Sequence, residues 1–569
     1  MERTKPAIIW ISLGLMACLT LACEGGPNPL GDEEGEMTDA MEQLLAESAG
    51  GISPTFCAKR CTKSGACHTY CNGHKRCKKL CNMLCDLCAT VSQADSGASS
   101  PDAGVAADSK VTLDSKVAPD SKVTPDSKVT PDSKAAPDSG ATPPPPSGGT
   151  TWYVRAGGGT DSQCTGKDNA DYPGSGTGKA CAFKHPFYAL SPGGAAKMKG
   201  GDTLLIGAGA YRMGVGGAGD ANCDPSYPWD CYAATIPGGT ASAPTRILGE
   251  GWDTGCKAAP ELYGVERTEH VLDLTGSSHV QLRCLEVTDR SSCVEHHSGG
   301  MACKRSSAPY GDWAAVGITA EDSTNVLLRD VNIHGLAAAG IRAGRLKDWT
   351  LEDVKIVGNG WVGWDGDLAD GKGSGNLGKM TFRRVEISWN GCAETYPGLK
   401  PAGCWGQSAG GYGDGMGTAE TGGDWLFEDC RVLHNTSDGI DLLYHSLGGT
   451  ITVRRMRAEG NAGNQLKVSG DALVENSILV GNCAYFQGKS FTHKVDPCRA
   501  LGNTLSVSFT SGSRVSVINN TLYGQGDVLL ESGHRGSKAC NGTESLVAVN
   551  NIFLGDTEYH SPGDKTAVV

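Results

Sequence analysis

A nine-residue stretch that returns after 23 residues constrains this chain more than any other feature. Asn325-Val326-Leu327-Leu328-Arg329-Asp330-Val331-Asn332-Ile333 recurs as Asp348-Trp349-Thr350-Leu351-Glu352-Asp353-Val354-Lys355-Ile356, and Gly317-Ile318 recurs as Gly340-Ile341. Related runs occupy 380–387, 425–432, 451–458, 472–479, 515–522 and 546–553. Each alternates apolar and polar residues, as a half-buried strand does, and ends in a polar turn, often Asn-Gly or Asp-Gly. Self-similarity at about 20 to 30 residues with short strands is the signature of a solenoid. Leucine-rich repeats share that period, but their leucine spacing and asparagine ladder are not found. The fold read from the pattern is all-β, a right-handed parallel β-helix over 151–569. The 81 glycines and 6% aromatic residues suit many tight turns between short strands. Irregular insertions at 358–379 and 390–413 interrupt the coils, and insertions in a solenoid gather on one face, often the binding face.

The rest of the chain reads as an exported tether. Arg3 and Lys5 precede an apolar run from Ala7 to Ala22 that is short for a membrane span and ends at small residues beside cysteine. Residues 1–22 are therefore taken as a signal peptide, with Cys23 favoured over Cys18 as the site of a lipid anchor; ordinary secretion without lipid is the alternative. An acidic linker follows over 23–56. Residues 57–90 hold Cys57, Cys61, Cys67, Cys71, Cys77, Cys81, Cys85 and Cys88, and the first three pairs are each C-x₃-C, one helical turn apart. A disulfide-stapled helical hairpin is the expectation; a metal site with His68 and His74 is the rival. Residues 91–150 repeat Pro-Asp-Ser-Lys-Val-Thr and end in Pro143–Pro146, a soluble spacer with nothing to bury. The fourteen cysteines of the large domain are expected to form disulfides in an oxidising compartment. A net charge of −13 argues against nucleic acid as partner but not against an acidic polysaccharide met by a local basic patch. A monomer on the cell surface, at the outer membrane or in the extracellular medium is expected.

Three stretches in successive coils carry candidate chemistry: Tyr412-Gly413-Asp414-Gly415, Asn435-Thr436-Ser437-Asp438-Gly439-Ile440-Asp441 and Asn464-Gln465-Leu466-Lys467. Asp414 and Asp438 are 24 residues apart and Asp441 and Lys467 are 26 apart, about one coil each, so each pair should stack on one face. Three carboxylates then converge near one lysine. Such a cluster suits Ca²⁺, a hard cation that takes oxygen ligands. A lysine beside a cation has its ammonium form disfavoured and can serve as a base. Taken singly, each aspartate reads as a turn residue before it reads as a ligand, because Asp-Gly turns supply φ > 0.

These residues resemble the family 9 polysaccharide lyases, which include pectate lyases and are β-helices with an Asp-Gly coil, an Asp-Asp-Gly-x-Asp coil and a Gly-Phe-Lys-like coil. The resemblance implies Asp414, Asp438 and Asp441 as Ca²⁺ ligands, Lys467 as catalytic base, and β-elimination on a uronic-acid polymer. Ser437 departs from the pattern, standing where the family has another aspartate, and Gln465-Leu466 replaces its small-aromatic pair. The opening of the large domain, from Thr151-Trp152-Tyr153-Val154 to Gly201-Asp202-Thr203-Leu204, resembles that of secreted β-helix proteins with a capping helix before the first coil. Arg454, Arg455, Lys489 and Lys494 are further cations that could hold substrate carboxylates.

Two other readings compete. Polygalacturonases carry Asn-Thr-Asp-Gly-x-Asp, which 435–441 approximates with an inserted serine, but their Gly-His-Gly and Arg-Ile-Lys motifs are not found. A surface carbohydrate-binding or adhesive β-helix fits the tether as well as an enzyme does. Three weaker signals read as structural. Asp365–Gly371 has the wrong length for an EF-hand, Glu295-His296-His297 has no standard ligand spacing, and Gly214, Gly216 and Gly217 follow no βα pattern.

Overall fold

The computed structural model describes residues 149–555, apart from 193–195, 215–217, 219–230, 266–267, 291–313, 369–374, 395–400, 407–412, 527 and 535–541. The export signal with Cys18 and Cys23, the acidic linker, the cysteine module and the repeat linker lie outside the described residues. So do Glu295, His296 and His297.

The alternating runs become strands because each apolar position finds the same position of the next coil directly beneath it. Trp152, Leu204, Ile247, Leu282, Leu328, Leu351, Phe382, Phe427, Val453, Val474, Val517 and Ala548 are successive register partners in one row. Every strand pair in that row is parallel, and the described residues form a right-handed parallel β-helix. Each regular coil has three strands. The coil Ala339–Gly344, Lys347–Glu352 and Lys355–Val357 stacks on Val362–Gly366, Leu377–Arg383 and Glu386–Ser388. The first strand of each coil joins a ten-stranded parallel sheet, and the second and third lie in a larger one. The interior is aromatic at mid-length, where successive ring centroids of Trp349, Trp364, Phe382 and Trp425 are 5.6 to 5.9 Å apart, the first pair edge-on, the second tilted and the third stacked.

The turn between second and third strand is made by one residue in the left-handed region, at Asp353, Arg384, Asp429, Arg455, Asn476, Asn519 and Asn550. These turns do not use the Asn-Gly and Asp-Gly pairs expected from sequence. Arginine tolerates the conformation here because its neighbour one coil earlier grips it: Arg384 meets Asp353 at 2.7 and 2.8 Å, and Arg455 meets Asp429 at 2.7 and 3.1 Å.

Before several strands of the ten-stranded sheet, buried asparagines tie coil to coil. The Nδ2 atoms of Asn359, Asn390 and Asn435 donate to the Oδ1 atoms of Asn390, Asn435 and Asn461 at 2.9, 2.9 and 2.8 Å. Asn461 closes the series on Gln465 at 2.8 Å. An asparagine ladder is therefore present, contrary to the sequence reading; what separates this fold from a leucine-rich repeat is its three strands per coil. A four-residue helix, Phe187–Leu190, precedes the strand Thr203–Ile206 and buries Phe187, Ala189 and Leu190, but it follows a first strand, Thr151–Gly159.

Disulfides join Cys164 to Cys181, Cys256 to Cys284, Cys392 to Cys404 and Cys483 to Cys498. Cys430 departs from the expected pairing: it is buried and free, and burial pushes its thiol up to about 12. Among the described residues no helix is long and apolar enough to cross a membrane.

Candidate active site

Stacking brings the predicted residues together on the outer face of the ten-stranded sheet. Asp441 on Ile440–Leu442 is the register partner of Lys467 on Leu466–Ser469, and the next coil places Ser506 after it. On the other side of Asp441 lies Gly417, so the row has no side chain beside Asp414. A Cβ at Gly417 would come to 3.2 Å from the Asp414 carboxylate.

Asp414 and Asp438 belong to a second ladder at the bend before these strands. Asp414 Oδ1 accepts from the backbone N of Asp438 at 2.9 Å, and Asp438 Oδ1 from that of Asn464 at 2.7 Å. Asn464 Oδ1 in turn accepts from the backbone N of Asn503 at 3.1 Å. The glycines that follow the aspartates are not left-handed turn residues. A Cβ on Gly415 would lie 2.5 Å from the carbonyl of Gly439, and one on Gly439 would lie 2.3 Å from that of Gln465. Gly is required there for close approach of coil to coil, and the expectation of a φ > 0 turn at these two positions is corrected.

The ladder needs an oxygen at each rung, not a charge, since Asn464 performs the same bond. The ladder bond therefore does not require the charges at Asp414 and Asp438. Both are buried, and their oxygens and those of Asp441 lie within 4.8 Å of one another.

Lys467 closes the cluster. Its Nζ donates to Asp438 Oδ2 at 2.6 Å and to Asp441 Oδ2 at 3.0 Å. Burial would lower the Lys467 ammonium, but Asp438, Asp441 and Asp414 outweigh it and push it above the ordinary lysine range. Among the chain's own charges the lysine is thus held protonated, opposite to the direction expected beside a cation. Burial would raise the Asp438 carboxyl, yet Lys467 and Arg499 hold it below the usual range. Asp414 is pushed up to about 7 by burial and by Asp438 and Asp441.

Arg499 is the residue that sequence reasoning missed. It opens a short 3-10 helix, Arg499–Gly502, in a segment looped out between the strands Ile478–Gly481 and Leu505–Phe509. Its Nη1 donates to Ser437 Oγ at 2.6 Å and to Asp438 Oδ2 at 3.2 Å. Ser437, the departure from the family pattern, is thus paired with a cation. Part of the insertion at 390–413 lies beside this segment: Cys392–Glu394 pairs antiparallel with Pro401–Trp405, which pairs in parallel with Thr492–Lys494, and Thr436 Oγ1 donates to the carbonyl of Trp405 at 2.5 Å.

Of the other cations proposed from sequence, Arg454, Arg455 and Lys489 have other partners, and the side chain of Lys494 lies outside the described residues. Arg454 and Arg455 pair with Glu428 on the larger sheet, at 3.3 and 2.8 Å. Lys489 covers the ring of Tyr485 at 4.9 Å. Asp365 pairs with Arg342 at 3.2 Å, as a surface ladder residue does.

Fold and site define a parallel β-helix bearing a buried carboxylate, lysine and arginine cluster on its outer sheet face. Residues 312–559 match the family model described as right handed beta helix region. None of the curated proteins matches the chain. Among solved structures, pectate lyase Pel9A is 13% identical, with 72% of this chain and 78% of that one covered and a TM-score of 0.33. An alginate lyase from Paenibacillus sp. is 15% identical, covering 65% and 95%, with a TM-score of 0.33. The A-module of the Azotobacter vinelandii mannuronan C-5 epimerase AlgE4 is 12% identical, covering 65% and 89%, with a TM-score of 0.32.

Proposed function

We propose that this chain is an exported polysaccharide lyase that cleaves a uronic-acid polymer by β-elimination. The observation that carries the reading is the pairing of buried charge with a lysine: Lys467 Nζ sits 2.6 and 3.0 Å from Asp438 and Asp441. Asn464 makes the same ladder bond without a charge, so the ladder alone does not account for the acidic rungs and the lysine.

The donor set fits a hard divalent cation: three carboxylates with oxygens within 4.8 Å of one another, as Ca²⁺ prefers. Asp414, Asp438 and Asp441 would hold it, and when bound such an ion neutralises a sugar carboxylate and acidifies the neighbouring C5 proton. Asp438 and Asp441 hold Lys467 protonated, and it would serve as base in its neutral form once those carboxylates were engaged as ligands. Its Nζ then takes the C5 proton, the C–H electron pair forms the C4–C5 double bond, and the C4–O4 bond breaks, with the departing oxygen taking a proton from water. Asn464, donating to Asp438 from both N and Nδ2 at 2.7 and 2.9 Å, fixes that carboxylate in place.

The test is incubation of the full chain with polygalacturonate in Ca²⁺ and in chelator, following the ultraviolet absorbance of unsaturated uronate. A Ca²⁺-dependent rise supports the lyase. New reducing ends without that absorbance mean a hydrolase, and binding without cleavage means a carbohydrate-binding module.

A further inference from the structure

Arg499 reaches the cluster from outside the repeat, and its placement is over-determined. Cys498, its neighbour, is bonded to Cys483, and its own backbone N donates to the carbonyl of Ala462 at 2.9 Å, in the turn that leads to Asn464. The side chain is 13% exposed and the Asp438 side chain beneath it 1%. Asp438 Oδ2 therefore accepts from two cations at once, Lys467 at 2.6 Å and Arg499 at 3.2 Å. Three carboxylates are faced by two fixed positive charges. One of those charges rests on Ser437, which offers a hydroxyl oxygen and no charge of its own.

We infer that Arg499 is a resident cation that sets the affinity of this site for divalent metal, by occupying Asp438 and repelling the ion from the side of Ser437. This rests on the reading of Asp414, Asp438 and Asp441 as a cation site. Arg499 would be a specificity-determining residue: the guanidinium takes up part of the negative charge that the ion would otherwise meet, so the site binds divalent cations weakly and is filled only where they are abundant. A unit positive charge this close to a ligand oxygen, in a largely buried site, changes affinity by about tenfold or more. Lys467 cannot play this part alone, because the proposed chemistry requires it to give up its proton.

The experiment is calorimetric titration of Ca²⁺ into the full chain without polysaccharide, comparing the wild type with Arg499→Gln, Arg499→Met and Arg499→Lys. The charge-free variants should bind Ca²⁺ at least about tenfold more tightly, and Arg499→Lys should stay near the wild type, since it keeps the charge but not the fork. Equal or weaker binding by folded Gln and Met variants overturns the inference and leaves Arg499 as a staple for its loop. Failure of both to fold, judged by circular dichroism in chelator, also assigns it that structural role and overturns the inference. No Ca²⁺ binding by any form overturns it together with the metal reading. The expected order of affinities in a chain that does not cleave polygalacturonate would sink the lyase reading and leave this inference standing.

Discussion

Lys467 Nζ lies 2.6 Å from Asp438 Oδ2, although the two residues are 29 apart in sequence and belong to successive coils. The contact is a lysine ammonium with a carboxylate that is almost wholly buried, so each is the main compensation for the other. Removing one partner of a buried pair costs about 3 to 5 kcal/mol; here Arg499 remains on Asp438, and the cost should fall to about 2 kcal/mol. Lys467→Met should lower stability by that amount in chelator. Part of the loss should return with Ca²⁺, because an added cation takes over the missing charge. Urea unfolding with and without Ca²⁺ reads both effects.

Asp414 offers the opposite trade. It accepts a ladder bond through Oδ1 and a bond from the Ser437 hydroxyl, but burial and the two neighbouring carboxylates outweigh these and the pull of Lys467. Asp414→Asn keeps the acceptor and removes the repulsion, so the variant should be at least as stable as the wild type in chelator at neutral pH. It should also lose most of its stabilisation by Ca²⁺. A melting-temperature comparison in chelator and in Ca²⁺ separates the two.

A pH-dependent clamp lies away from this cluster. His334 is held between Glu286 at 2.9 Å and Glu394 at 2.8 Å, with Thr288 beside it. Burial would lower its pKa, but the two glutamates outweigh that and raise it to about 9. A raised folded-state value means that the clamp contributes fully below the unfolded histidine value near ~6.5 and is lost as pH rises through about 9. The contribution is on the order of 2 to 3 kcal/mol. Stability measured by urea between pH 6 and 10 should fall across that window in the wild type (about three pH units) and be much flatter in Glu394→Gln.

The asparagine ladder should bear load along its length. Asn435 is fully buried, donates to Asn461 and the carbonyl of Ile387, and accepts from the backbone and side chain of Asn390. Asn435→Ala leaves several buried groups without partners and should cost about 2 to 4 kcal/mol. Asn551, half-buried in the last described coil, donates to the carbonyl of Val517 and accepts from Asn520, and its replacement should cost less. Chemical denaturation of both variants tests the gradient.

What could be read in the sequence was whatever the repeat itself carries. The 23-residue echo of Asn325–Ile333 in Asp348–Ile356 is matched by direct register, Val326 against Trp349 and Leu328 against Leu351. The spacing of 26 between Asp441 and Lys467 is likewise one coil, and the two are register partners. Residues whose partners lie outside the repeat were not legible. Arg499 meets Asp438 across 61 residues, through a disulfide-bonded loop that interrupts the repeat. Two misreadings came from one letter serving two physical ends. The glycine after Asp438 answers close coil contact, not a left-handed turn, while the left-handed turns fall to Asp429 and Arg455, residues with no glycine signal. The asparagines of the ladder are spaced 26 to 45 residues apart, because insertions of different length fall between them, and so they show no fixed period.

Lys467→Ala on polygalacturonate in Ca²⁺ isolates the role of Lys467 in moving a proton from substrate. Unsaturated uronate should no longer form, with a fall in kcat of at least about a hundredfold, while polymer binding by the full chain should change little. Turnover near the wild-type rate in a variant that still binds polymer would contradict that role, since the lysine would then be no more than the counter-charge of Asp438.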